Sequence, residues 1–95
     1  MSTERELKEK AASRDYGTRM AAARDPSLPP YLVERLAADG SQWVRRGIAR
    51  RPDLPLDLVE RLAADADWVV RRAIAKRALT RIEGSEDDKQ ERKQG

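Results

Sequence analysis

The sequence predicts an all-α fold, a short solenoid of paired helices, and three observations carry that prediction. Aligning residues 26–51 with 52–77 gives 17 identities, and a fixed period between about 20 and 50 residues marks stacked repeat units. Within each unit, apolar residues recur at helical i,i+4 spacing, first at Leu32/Leu36 with Val33/Ala37 and then at Val44/Ile48. Leu, Ile, Val and Phe number 17 of 95, and all but Leu7 fall between Leu28 and Ile82. That supply is thin, yet a net charge of +3 is too small to keep the chain unfolded, so one compact core is expected there.

Each element has its own signal. Thr3 and Glu6 have the spacing of a capping box, and Leu7, Ala11 and Ala12 form a thin apolar stripe. A capping helix is therefore expected from about Glu4 to Arg14 over the open end of the stack, broken by Gly17. A decayed half-unit follows, because 18–26 lines up with 44–52. In the two full units, Pro29, Pro30 and Pro55 sit where a missing N–H is harmless, at the start of the first helix. Leu28 and Leu54 precede those prolines as hydrophobic staples. Asp39-Gly40 stops one copy and Asp65-Ala66-Asp67 the other, each offering a side-chain oxygen to cap the next helix. The second helix starts near Trp43 or Trp68, and buries Val44/Ile48 in one unit and Val70/Ile74/Ala78 in the other; Pro52 ends the former. Helices of about 15 Å are unstable alone and must stack. Gly84 fits a C-cap, and 85–95 contains no aliphatic residue. The expected organisation is a capping helix over 1–17, about two and a half 26-residue units over 18–83, and a disordered charged tail over 84–95.

Composition narrows the chemistry. There is no cysteine and no histidine, which removes disulfides, thiolate metal sites, the usual general base and the physiological pH switch. No glycine-rich phosphate loop and no nucleophile paired with a base is present. The chain is expected to be non-catalytic, without cofactor or bound metal. Asp65/Asp67 and Glu86/Asp87/Asp88 lack further ligands at coordinating spacing, and capping or tail solubility explains them. The longest uncharged run, Pro26 to Val33, is eight residues, far short of the ~20 that span a bilayer. The first ten residues are too polar for a signal peptide. No membrane association and a cytoplasmic location are the expectation.

The pattern Leu54-Pro55-x-x-Leu58-Val59-x-x-Leu62-Ala63-x-Asp65, followed by Val70-Arg71-Arg72-x-Ile74-Ala75, resembles the leucine-rich repeat variant family, a HEAT-like helical repeat. The resemblance covers roughly 18–79. It implies a right-handed superhelix of alternating helices, some of the 3₁₀ type, with no sheet. Some members carry an iron-sulfur cluster on an N-terminal cysteine cluster. This chain has no cysteine, so that cofactor is not carried over.

Charge segregates within the unit. Residues 43–51 and 68–77 each hold four basic and no acidic residues, whereas the first helices are mixed. Equivalent positions of stacked units form columns, so one face should be positive. The column Arg19, Arg45 and Arg71 lies beside the buried valine position, and with Asp39 and Asp65 at fixed spacing it reads as a structural ladder of arginine–carboxylate pairs. Arg46 with Arg50, and Arg72 with Lys76, are i,i+4 pairs facing away from that core, and Arg24 stands in column with Arg50 and Lys76. No carboxylate at i±4 neutralises them. Such a stripe suits an acidic protein surface or the phosphates of DNA or RNA, or it is a solvated face kept charged for solubility. Trp43 and Trp68 fall in different columns, which favours loop packing over a repeated base-stacking role. The leading expectation is a scaffold that binds an acidic protein and self-associates through its open ends, with nucleic-acid binding as the alternative.

Overall fold

A computed structural model describes residues 2–77. Five complete helices are α1 (Glu4–Ala11), α2 (Tyr16–Arg24), α3 (Pro30–Ala37), α4 (Gln42–Ala49) and α5 (Leu56–Ala63). A sixth, α6 (68–77), runs to the last described residue. There is no strand among the described residues, and every helix there is α rather than 3₁₀. Ala78, the Gly84 cap and the charged tail lie outside them.

The helix starts Glu4, Pro30 and Leu56 are spaced by 26 residues, and so are Tyr16, Gln42 and 68. The N-terminal helix therefore takes the first-helix position of a further unit, and α1 with α2 completes it. Its sequence hides this, because Glu6 and Lys10 stand where Leu32 and Leu36 stand in the next unit. Leu32 and Leu36 are buried, while Glu6 and Lys10 are exposed. Leu7 and Ala11, the counterparts of Val33 and Ala37, keep the inward face and are buried. A terminal unit with a polar outer face is how a stack ends in water.

Two local expectations are corrected. Helix α1 stops at Ala11, not near Arg14, and Gly17 lies inside α2. The break comes earlier because Asp15 caps α2, accepting the Thr18 N–H at 2.9 Å. Likewise Asp39 does not cap the helix that follows it, whereas the Asp65-Ala66-Asp67 stretch supplies the expected cap through its last residue. That position, two residues on, belongs to Ser41, which accepts from Trp43 N–H at 3.2 Å, and to Asp67, which accepts from Val70 N–H at 3.2 Å. Asp15, Ser41 and Asp67 thus form one cap column. The Thr3–Glu6 capping box is present in both directions.

One core runs the length of the stack. It joins Leu7 and Ala22/Ala23 to Leu28, Leu32, Leu36, Val44 and Ile48, then to Leu58, Leu62, Val70 and Ile74. Helices α2 and α4 pack along much of their length, whereas α1 touches α3, and α3 touches α5, over shorter stretches. A β-carbon added at Gly47 would lie 3.3 Å from the Ala23 β-carbon, so glycine lets these two backbones approach closely.

Candidate functional site

The side of the stack formed by the second helices is built on two arginine columns that hold the units together. Arg19 makes a forked pair with Asp39, Nε to Oδ2 at 2.9 Å and a terminal nitrogen to Oδ1 at 3.1 Å. Arg45 repeats it on Asp65 at 2.8 and 3.1 Å. Each guanidinium also donates to the carbonyl six residues earlier: Arg19 to Ser13 at 2.8 Å, Arg45 to Asp39 at 2.7 Å and Arg71 to Asp65 at 2.6 Å. One arginine therefore ties the loop of its own unit to the aspartate of the next. Asp39 and Asp65 complete the device by accepting the N–H of Ser41 and Asp67 at 2.9 Å. Arg71 has no carboxylate partner among the described residues and donates to the Asp65 and Ala66 carbonyls.

A second column went unseen in the sequence. Arg51 is buried, and donates to the carbonyls of Ala23 and Asp25 at 2.9 Å while Asp53 holds its other edge at 3.2 and 3.3 Å. Arg77 reaches back one period to the Arg51 carbonyl in the same way. The 26-residue spacing of Arg51 and Arg77 was the available signal. It was obscured because the third member of the column is Asp25, which supplies a carbonyl instead of a guanidinium.

Outward of these columns lie the five cations expected to meet a partner, and the structure divides them. Arg46 is corrected: it is not an unneutralised cation. Its guanidinium forks onto Asp67 at 2.8 and 3.0 Å and lies 4.3 Å from the Trp43 ring centroid. The neutralising carboxylate sits 21 residues away in the next unit, beyond the reach of an i±4 search. Arg24 and Arg50 are exposed and make no ion pair among the described residues. Both stand at helix C-terminal ends, where the helix dipole favours a cation. Arg72 is exposed, 6.0 Å from the Trp68 ring centroid, and Lys76 continues the column of Arg24 and Arg50.

These residues border a chain of open hollows. Between α4 and α6 one of about 420 Å³ is lined by Arg50, Val69, Arg72, Ala73 and Lys76. A narrower one over α2 and α4, about 120 Å³, is lined by Met20, Arg24, Trp43, Gly47 and Arg50. Arg50 borders both. Trp43 and Trp68 are half-exposed, and Trp43 forms a wall of the narrow hollow instead of packing into a loop.

The ion pairs perturb titration in the expected sense. Hydrogen bonding to Asp39, Asp65 and Asp67 raises the pKa of Arg19, Arg45 and Arg46 respectively. Asp67 is held below the usual carboxylate range, first by its bond from Arg46. Burial acts to raise Asp65, but the bonds from Arg45 and the Asp67 N–H outweigh it and the net shift is down. Among the described residues no three metal-ligating side chains converge, and no helix is long and apolar enough to cross a membrane.

The leucine rich repeat variant family model matches residues 43–67. Those residues are similar to a leucine rich repeat variant unit. The matched stretch runs from α4 through α5 to Asp67, so the leucine rich repeat variant register begins on a second helix and takes in Arg45, Asp65 and the Asp67 cap. No curated protein and no solved structure matches the chain.

Proposed function

We propose that this chain is a non-catalytic helical-repeat scaffold that binds an acidic protein through the exposed face of its second helices. The observation that carries this reading is the column of Arg24 and Arg50, exposed and without ion pairs among the described residues, both bordering the same two open hollows. Forked guanidinium donors suit carboxylates. Arg19, Arg45, Arg46, Arg51 and Arg77 of this face are committed to contacts between units, which leaves a discrete positive strip rather than a uniformly basic surface. Self-association through the ends of the stack is part of the same reading, and light scattering tests it as the mass of two chains.

Trp43 provides the assay, because it lines the strip. Titration with poly-glutamate at ~50 mM salt should change tryptophan emission to saturation, and the change should weaken steeply toward ~200 mM as exposed charges are screened. The double variant R24Q/R50Q should lose the response while keeping its thermal melt within a few degrees. No response by the native chain would overturn the reading.

Nucleic-acid binding is the second reading, favoured by Trp43, whose ring stands half-exposed beside this strip. It calls for a longer track of phosphate contacts than the strip offers, since Arg46 is paired and Asp53 lies on its rim. A single-stranded oligonucleotide binding more tightly than poly-glutamate, with a steep salt slope, would install it instead.

A further inference from the structure

We propose that the occupant of this strip is an extended acidic polypeptide segment carrying a carboxylate at every third residue. The inference rests on the preceding reading and adds the conformation and spacing of the ligand. Arg24 and Arg50 occupy equivalent positions of successive units, and Lys76 stands at that position in the next. Packed helices lie about 8–10 Å apart, which sets the interval between their cations. An extended chain rises about 3.3 Å per residue, so every third carboxylate meets the next arginine with the repeat's own period.

The hollow selects conformation as well as charge. Its floor over α2 and α4 contains Gly47, already close enough to Ala23 that an added β-carbon would meet it at 3.3 Å, and between α4 and α6 the floor is Ala73. The side chains flanking it are long: Arg24, Arg50 and Arg72. A slender extended segment suits a strip of long side chains over small residues, with its carboxylates turned to the arginines and its small side chains to Gly47 and Ala73. Polynucleotide charge is the poorer match. A nucleic-acid strand carries a charge at every nucleotide, so it would set phosphates between the cations and beside the Asp53 carboxylate as well as on the arginines.

Two fluorescein-labelled peptides of identical composition test this, one a Gly/Ser chain with glutamate at every third position and the other with its glutamates contiguous. Fluorescence anisotropy on the full chain at low salt should give the spaced peptide about tenfold tighter binding, equivalent to about 1.4 kcal/mol. R50A should weaken the spaced peptide about fivefold or more, by the loss of one charge-assisted contact. R61Q removes a charge from an exposed position on α5 and should leave its affinity unchanged. Equal affinity for the two peptides, with R50A weakening both, would overturn the spacing and leave the acidic-partner reading standing. Insensitivity to R50A overturns the placement on this strip. An oligonucleotide of matched charge that binds more tightly than the spaced peptide overturns the choice of ligand.

Discussion

Arg50 and Arg51 are neighbours in sequence with opposite duties, and a pair of alanine substitutions separates them. Arg51 satisfies two carbonyls at the end of α2 from a buried position. Removing it leaves buried acceptors without donors, which costs about 2–3 kcal/mol. In a chain this short that lowers Tm by roughly 10–20 °C. Arg50 makes no such bond, so Arg50→Ala should shift stability by no more than about 0.5 kcal/mol. Equal melting curves for the two variants, read by circular dichroism, would contradict the assignment. The ladder aspartates add a pH dependence. Asp65 and Asp67 titrate lower in the folded chain than the ordinary carboxylate value, so their contribution is complete above about pH 4. It is lost as pH falls through the depressed folded values. The chain should therefore melt earlier at pH 3 than at pH 7. Asp65→Asn, already less stable at pH 7, should lose less on acidification; an identical acid loss in both proteins would sink the linkage.

Between neighbouring helices the tightest fit is Gly47 against Ala23. Alanine at 47 would gain about 1 kcal/mol of helix propensity, but its β-carbon meets another β-carbon fixed to the α2 backbone. Neither can turn away, and overpacking offsets the gain. Gly47→Ala should leave Tm within a few degrees, and Gly47→Val, with two further methyl groups at the same contact, should lower it by about 2 kcal/mol or more. A clear rise in Tm for Gly47→Ala would show that the α2–α4 spacing relaxes freely. The same pair of helices shows what could be read in advance. Helix type, period and the buried rows at Val44/Ile48 and Leu58/Leu62 follow from local spacing, because an amphipathic helix announces its face within two turns. The pairing of Arg19 with Asp39 was legible for a different reason: the repeat printed it twice, as Arg19–Asp39 and Arg45–Asp65. Arg46–Asp67 has no such echo, since Met20 and Ser41 hold those places in the unit before, and a contact made once across 21 residues leaves no local pattern. The N-terminal unit was missed on similar grounds, because its outer positions are chosen for water and Glu6 and Lys10 erase the leucine signature.

Among the described residues the three helix pairs contact chiefly their neighbouring units, so stability varies along the stack. The central pair, α3 with α4, has a neighbour on each side. Leu32, Leu36, Val44 and Ile48 are fully buried there. Helix α1 contributes only Leu7 and Ala11 to the core and packs on one side alone. Its Tyr31 contact, a hydroxyl donating to Glu4 at 2.8 Å, is exposed to solvent, and such contacts contribute little. Opening α1 therefore exposes little apolar surface, whereas opening α4 breaks two interfaces and both arginine columns. Native-state hydrogen exchange should show this as a gradient, with the slowest amides in α3 and α4 and faster exchange through α1. The expected separation is large, since α1 can open alone while α4 opens only with its neighbours. Uniform protection from α1 to α4 would mean that the whole chain opens as one unit. In that case the arginine columns couple the units more strongly than apolar contact between helices does, and Arg45→Ala would lower protection in α1 and α4 alike.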